Sequence, residues 1–133
     1  MPSFDSITEP AISALVRQFY GKARRDPVIG PVFEHAVEDW DEHLDKLCDF
    51  WSSVMLTTGR YKGNPMAAHI RQPIEPEFFD RWLRLWRETA GEVFTDKAAG
   101  QFRLKAERIA ESLKLGLFYR PDAFHMAATH KPS

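Results

Sequence analysis

Apolar residues recur along this chain at the spacing of α-helices, and strand-like alternation is nearly absent. The first such stretch predicts a helix from about residue 8 or 10 to residue 25, where Asp26-Pro27 interrupts it. Its apolar stripe consists of Ile12, Leu15, Val16, Phe19 and Ala23, with Tyr20 at the edge. For the following residues, 28–33, we predict a tight turn that carries apolar side chains inward.

Three more long helices are predicted. The first of them begins near Asp39, a suitable N-cap, and continues to about residue 57. The next covers about residues 76–94, after which Thr95 caps the last helix and Arg120-Pro121 ends it. The apolar stripes of these two late helices are Phe79, Trp82, Leu83, Trp86, Ala90 and Val93, and Phe102, Ala106, Ile109, Leu113 and Leu117. The pattern predicts an all-α domain with its core in residues 8–118 and a flexible tail in residues 119–133.

A short helix carrying His69 is predicted between the second and third long ones. Asn64 can cap it and Pro65 suits its first turn, whereas Pro73 disfavours helix from residue 72 onward. About two helical turns are marginal alone in water, so contacts from outside must hold this segment in place. Four long helices by themselves are compatible with a four-helix bundle, but a short histidine-bearing helix between two long ones fits a globin better.

Composition and charge limit the classes of function. At 133 residues the chain is one domain, large enough for a real core. Its 18 basic and 19 acidic residues give a net charge of −1, which indicates neither a nucleic-acid nor an anionic-membrane partner. No apolar run approaches the ~18 residues of a membrane span, and the N-terminus lacks a signal-peptide pattern. Cys48 is the only cysteine, which excludes a disulfide framework. We expect a cytoplasmic protein that is a monomer or a weak dimer.

The histidines and the aromatic residues suggest a cofactor. Aromatic residues make up 13% of the chain, enough to enclose a flat apolar group. The buried stripe of the second long helix, within about a 120° arc, consists of Trp40, His43, Leu44, Leu47, Phe50, Trp51 and Val54. An unpaired buried imidazole costs ~1–3 kcal/mol, so His43 needs a partner or a ligand. His43 and His69 suit a haem pocket, in which one histidine binds the iron and the other faces it. The alternative for His43 is a core histidine that is hydrogen-bonded to a backbone carbonyl. The alternative for His69 is a surface or helix-capping histidine.

Tyr20 and Trp82 each combine an apolar body with one hydrogen-bond donor. If both reached the open side of an iron, they would stabilise bound O₂, which carries partial negative charge. Ordinary core positions are the alternative for both residues.

The remaining polar candidates are weaker. We interpret three histidines as surface residues, namely His35, His125 and His130. Cys48 is expected to be a packing residue. Three cations flank the short helix and either pair with haem propionates or are solvated, namely Arg60, Lys62 and Arg71.

Several motifs occur together in one register. They are Phe19-Tyr20, Asp26-Pro27-Val28-Ile29-Gly30-Pro31-Val32-Phe33, Asp39-Trp40, His43-Leu44, Phe50-Trp51, Gly59-Arg60-Tyr61-Lys62-Gly63-Asn64-Pro65-Met66, His69, Phe78-Phe79-Asp80-Arg81-Trp82-Leu83 and Arg108-Ile109-Ala110. Over about residues 8–118 this series resembles the group III truncated haemoglobins. One small departure is Gln72-Pro73, where that family often has leucine before proline.

The resemblance implies a two-over-two helical sandwich around haem b, with His69 as the proximal iron ligand. It makes Tyr20 and Trp82 distal hydrogen-bond donors and His43 the distal-helix residue, for which we expect a gating role. Further haem contacts are implied for Phe33, Trp40, Leu47, Trp51, Arg60, Tyr61 and Met66.

The implied activity is reversible binding, and so handling or transport, of O₂ or another diatomic ligand (NO, CO) at a pentacoordinate iron. A rival is enzymatic use of the same pocket, for nitric-oxide dioxygenation or peroxidase-like chemistry. That rival needs a separate reductase, because the chain has no flavin- or nicotinamide-binding fingerprint. A haem-based sensor or partner-binding protein and a haem-free helical bundle are the other rivals.

Overall fold

The structure is a computed structural model. It describes residues 3–70, 72 and 74–118, apart from the side chain of residue 70, and their regular secondary structure consists of helices. The helices are α1 (Glu9–Ala23), α2 (Gly30–Ala36), α3 (Trp40–Leu56), α4 (Pro65–Ile70), α5 (Pro76–Val93) and α6 (Asp96–Phe118). The only β feature among these residues is an isolated bridge between Phe4 and Phe94. The all-α prediction is therefore confirmed. The predicted helix stop at residues 120–121 and the tail lie outside the described residues.

The four long helices form two pairs. α1 packs against α3, α5 packs against α6, and contacts between α1 and α5 join the two pairs. The short helix α4 packs against α6. This is the two-over-two arrangement that the resemblance implies. None of the described helices is both long and apolar enough to span a bilayer.

Side-chain caps start three of the helices, and two of these caps, Asp39 and Asn64, are predicted from the sequence. The Thr8 hydroxyl accepts from the backbone N–H of Ala11 at 3.3 Å, at the start of α1. The Asp39 carboxylate accepts from the N–H of Glu42 at 3.2 Å, at the start of α3. Asn64 does the same for α4, since its side-chain oxygen accepts from a backbone N–H one turn later, at 3.1 Å. Each cap satisfies a donor that the first helical turn would otherwise leave unpaired.

Helix α2 corrects the prediction of a tight turn over residues 28–33. The Asp26 carboxylate accepts from the backbone N–H groups of Val28 (2.8 Å) and Ile29 (3.1 Å), which orders the chain just before the helix. Gly30 then passes so close to the end of α1 that a Cβ there would lie 2.7 Å from the Arg24 carbonyl oxygen. The Gly30-Pro31 pair thus starts a helix, with proline in its first turn, instead of making a turn.

The core is built around a column of stacked tryptophans. Trp86 is fully buried, with Trp51 on one face at 4.4 Å between centroids and Trp82 on the other at 5.3 Å. Phe19 meets Trp86 edge-on at 5.0 Å. A smaller cluster around Phe79, Ala110 and Leu113 lies between α4, α5 and α6. The column and the small cluster border the same cavity.

Candidate functional site

An apolar cavity of about 270 Å³ is open between the helices, and all six of them contribute to its wall. The lining residues are Tyr20, Ile29, Val32, Phe33, Ala36, Leu47, Phe50, Trp51, Pro65, Ala68, His69, Gln72, Ile74, Phe78, Phe79, Trp82, Ile109, Ala110 and Leu113. The groups able to hydrogen-bond belong to Tyr20, His69, Gln72 and Trp82. A large apolar wall with a few convergent polar groups is typical of a cofactor or ligand site.

His69 reaches this cavity from the short helix α4, with its ring held in one orientation. Its Nδ1 lies 2.6 Å from the carbonyl oxygen of Pro65, one turn earlier. Since a carbonyl can only accept, Nδ1 carries the proton and Nε2 keeps a free lone pair. The ring also lies nearly parallel to Phe79, at 6.3 Å between centroids. Metal-binding histidines usually donate their other N–H in this way, which fixes the tautomer and the ring plane.

Tyr20 and Trp82 enter the same cavity from α1 and α5. Tyr20 is 5% exposed, and its ring meets Phe19 edge-on at 4.7 Å and Phe33 at 5.3 Å. Burial raises the pKa of Tyr20, and the Trp82 indole N–H close by offsets this only in part. The phenol therefore stays neutral and able to donate at any physiological pH. The structure thus brings two donors and one imidazole with a free ring nitrogen to one cavity.

His43 lies behind this wall. It is half-buried on α3, and among the described residues it does not contribute to the cavity surface. Its ring packs edge-on against Trp40 at 5.6 Å and against Tyr20 at 6.1 Å. Burial, and then the positive charge of Lys46, lower the pKa of His43, so the imidazole is neutral at pH 7.

Known globins resemble this chain in both sequence and structure. A family model described as bacterial-like globin matches residues 3–110. A group 3 truncated haemoglobin from Campylobacter jejuni is 33% identical over 120 residues, which cover 86% of this chain and 94% of that protein. The crystal structure of a group III truncated haemoglobin from the same species matches with a TM-score of 0.83 at 32% identity, covering 88% of this chain and 96% of that one.

The chain belongs to the group III truncated haemoglobins. Membership of the globin family implies haem as the cofactor. The residues present in this truncated haemoglobin fit that group. A haem iron needs one imidazole nitrogen from the protein, and its porphyrin needs an apolar slot. His69 has a free Nε2 beside a wall that consists mostly of aromatic and aliphatic side chains.

The residues that the sequence nominates for haem contact divide into two sets. Those that line the cavity are Phe33, Leu47, Trp51, His69 and Trp82, together with the distal candidate Tyr20. Those that the structure places elsewhere are Trp40, His43, Arg60, Tyr61 and Met66. Haem contact by this second set stays a prediction.

The second set has other partners in this truncated haemoglobin. The exposed guanidinium of Arg60 lies 3.7 Å from the Glu9 carboxylate. Tyr61 meets Phe50 edge-on at 5.2 Å. Met66 packs against α6 at Gly116. The propionate candidate Arg71 falls outside the described residues, and Lys62 is exposed.

The sequence analysis does not predict much of the cavity wall on and around α4. The residues it did not nominate there are Ala68, Gln72, Ile74, Phe79, Ile109, Ala110 and Leu113. Phe79, Ile109 and Leu113 belong to apolar stripes that also build the core, so their spacing carries no separate signal for a cavity. Gln72 did carry a signal, because it is a polar residue where the family often has leucine.

Proposed function

We propose that this protein binds O₂, or another diatomic ligand such as NO or CO, reversibly at the iron of haem b held in this cavity. One observation carries the proposal: His69, with its Nδ1 fixed, and the donors Tyr20 and Trp82 border the same apolar cavity from three different helices. His69 is then the proximal and only protein ligand, which leaves the iron pentacoordinate until a diatomic ligand binds.

The haem supplies the iron chemistry, and this chain's residues set the binding and release of the ligand. The Pro65 carbonyl keeps the His69 ring in one plane. The Tyr20 hydroxyl and the Trp82 indole N–H, which border the cavity, would donate hydrogen bonds to a diatomic ligand held there. At ~0.5–1.5 kcal/mol for each hydrogen bond, the two donors slow ligand loss by roughly one to two decades. The apolar wall limits access of water to the same site.

A second candidate is nitric-oxide dioxygenation or peroxidase-like chemistry in the same pocket. The pair of donors supports it, because strong retention of O₂ suits reaction with a second molecule better than rapid release. The electrons would come from a separate reductase. The two candidates differ in turnover, so a stopped-flow comparison of O₂ release and nitric-oxide consumption on the reduced protein distinguishes them.

The test of haem binding is replacement of His69. His69→Gly should abolish stoichiometric haem retention and the Soret band, and added imidazole should restore both by supplying the missing ligand. The matched control is His35→Gly, since His35 is an exposed histidine on α2. If His69→Gly kept its haem and His43→Ala lost it, the proximal and distal assignments would be reversed.

A further inference from the structure

Trp40 forms a second layer over the distal wall of the cavity. It is the first residue of α3 and is half-buried. Its ring lies 6.1 Å from the ring of Tyr20 and 6.3 Å from that of Phe33. Tyr20 and Phe33 line the cavity and pack edge-on against each other at 5.3 Å. Trp40 therefore separates these two wall residues from solvent.

Arg24 holds Trp40 from the outside. Arg24 caps the end of α1, and its guanidinium carbon lies 4.2 Å from the centroid of the Trp40 ring. A guanidinium within about 6 Å of an indole face is attracted to it. The Arg24 Nε also donates to the Glu34 carboxylate on α2, at 3.3 Å. These contacts thus connect three helices at one point. Arg24 follows the end of α1, Glu34 lies on α2, and Trp40 begins α3.

This arrangement limits the movement of His43 as well. The His43 ring packs edge-on against Trp40 at an interplanar angle of 89°. His43 was the gating residue expected from the sequence, but a swing of its imidazole on this side has to displace Trp40. Arg24, which keeps Trp40 in place, then limits the movement of both the Trp40 ring and the His43 ring.

We propose that Arg24 and Trp40 form a latch over the Tyr20–Phe33 wall, and that opening of this latch sets the rate at which diatomic ligands enter the distal side. The proposal rests on the proposed binding of haem and its ligands in this cavity. Neither Arg24 nor Trp40 is among the residues that line the cavity. They act by positioning the cover over the wall residues Tyr20 and Phe33.

The test measures carbon monoxide entry, because carbon monoxide depends little on distal hydrogen bonds. Flash photolysis of the haem-loaded protein gives the association rate constant. If Arg24 holds the closed state, Arg24→Leu should raise this constant about three- to fivefold. Trp40→Leu should raise it roughly tenfold, and the double variant should not exceed Trp40→Leu, because the two residues act through one contact. Because a barrier to entry is also a barrier to exit, the O₂ dissociation rate should rise by no more than the same factor, so the O₂ affinity should not fall.

Arg17→Leu is the matched control. Arg17 lies on α1, is exposed like Arg24, and pairs with Asp45 on α3 at 3.4 Å, but no aromatic ring of the described residues lies against its guanidinium. Its carbon monoxide association should stay unchanged. Equal rates in Arg24→Leu and Arg17→Leu would overturn the latch. Acceleration in His43→Ala together with an unchanged Trp40→Leu would overturn it too, and would make His43 the gate.

A second measurement does not depend on haem. In the haem-free protein, the ¹H resonance of the Arg24 Nε–H should be shifted upfield by the Trp40 ring current, and the shift should vanish in Trp40→Leu. An unshifted resonance would show that Arg24 does not lie over Trp40, whether or not the protein binds haem. If the shift is present and the protein takes up no haem, then the proposed function fails while the contact stands.

Discussion

The two sides of the cavity are built in different ways. On the distal side, Tyr20 and Trp82 belong to two long helices and pack into the fully buried core through Phe19 and Trp86. On the proximal side, His69 belongs to a helix of six residues whose helix partner in the described fold is α6. A helix of that length is marginal alone. Tyr20 and Trp82 are therefore fixed by the core, whereas His69, the proposed iron ligand, is held by a few contacts.

Because of this difference, substitutions on the two sides of the cavity should have different effects. Changes to the distal side should alter stability or ligand kinetics while haem stays bound. Changes to the proximal side should alter haem retention first, because local opening of α4 costs little compared with global unfolding. Substitutions near Trp82 and near His69, each with a matched control, distinguish the two sides.

The largest change in the free energy of unfolding is expected at Asp26, which is bound to Arg81, the neighbour of Trp82. Its side chain is 4% exposed and accepts from Arg81 at 2.7 Å and from the N–H groups of Val28 and Ile29. Arg81 precedes Trp82, so the pair ties the corner between α1 and α2 to the helix that carries a distal donor. Asp26→Asn should lower the free energy of unfolding by about 2–4 kcal/mol, because Arg81 loses its partner.

Chemical denaturation of the haem-free protein measures this change. The control is Asp80→Asn, since Asp80 is 75% exposed and 3.9 Å from Lys114, and it should change stability by less than ~0.5 kcal/mol. A loss at Asp26 no larger than the loss at Asp80 would mean that the distal side does not depend on this pair.

The same carboxylate predicts a pH dependence. Burial by itself raises the pKa of Asp26, but the hydrogen bonds from Arg81, Ile29 and Val28 and the Arg81 charge outweigh it, and the pKa is lowered overall. The unfolded chain therefore binds the proton more readily, so this stabilisation is complete above the unfolded value of about 4 and is lost as the pH falls below it. Unfolding midpoints measured from pH 7 down to pH 3 should fall more steeply in the unmodified protein than in Asp26→Asn. Parallel curves would contradict this assignment.

A pair of glycines tests the proximal side. In α6, a Cβ on Gly116 would overlap the Met66 side chain of α4, whereas a Cβ on Gly100 meets nothing within 4 Å. Gly100→Ala should stabilise the protein by about 0.5–1 kcal/mol through helix propensity. Gly116→Ala should lose that gain, because α4 or Met66 has to move.

The measurements for this pair are the unfolding free energy and the rate of haem transfer to an acceptor apoprotein. We expect faster haem loss from Gly116→Ala and an unchanged rate from Gly100→Ala. If both variants release haem at the same rate, then the position of α4 does not depend on its contact with α6 at this point.

A smaller stability effect than at Asp26 is expected at Gln72. Its side-chain oxygen is buried in the cavity wall on the His69 side and has no hydrogen-bond partner among the residues that the structure describes. A buried acceptor left unpaired costs about 1–3 kcal/mol, so Gln72→Leu should stabilise the haem-free protein by roughly 1 kcal/mol. Gln101→Leu, at an exposed position of α6, is the control and should have little effect on the unfolding free energy. A destabilised Gln72→Leu would indicate that the amide has a partner in solution.

The parts of this molecule that were predictable from sequence are those determined by local residues. Asn64, Pro65 and Pro73 define α4 within one short segment, and His69 was nominated because that segment is so short. The helix α2 was missed because its stability comes from a side chain, Asp26, and from the close approach of Gly30 to α1. Neither feature has a signal in the apolar pattern.

The same distinction holds for the site. Tyr20 and Trp82 were nominated through motifs that they form with their neighbours in sequence. The Asp26–Arg81 pair joins residues that are 55 positions apart, and the spacing of charges along the chain does not indicate such a contact. Ile109 and Leu113 were predicted as core, and only the packing of α4 against α6 shows that they and Ala110 also border a cavity.

The measurement that tests the account most directly is the O₂ dissociation rate of the reduced, haem-loaded protein with Tyr20→Phe. This change removes one hydroxyl from a ring that stays packed between Phe19 and Phe33. We predict that O₂ leaves about tenfold faster, with haem retention and unfolding free energy nearly unchanged. We also predict that Trp82→Phe acts in the same direction, and that the double variant is non-additive because both donors share one ligand. An unchanged O₂ dissociation rate in both single variants would show that Tyr20 and Trp82 are ordinary core residues, and would contradict the proposed distal site.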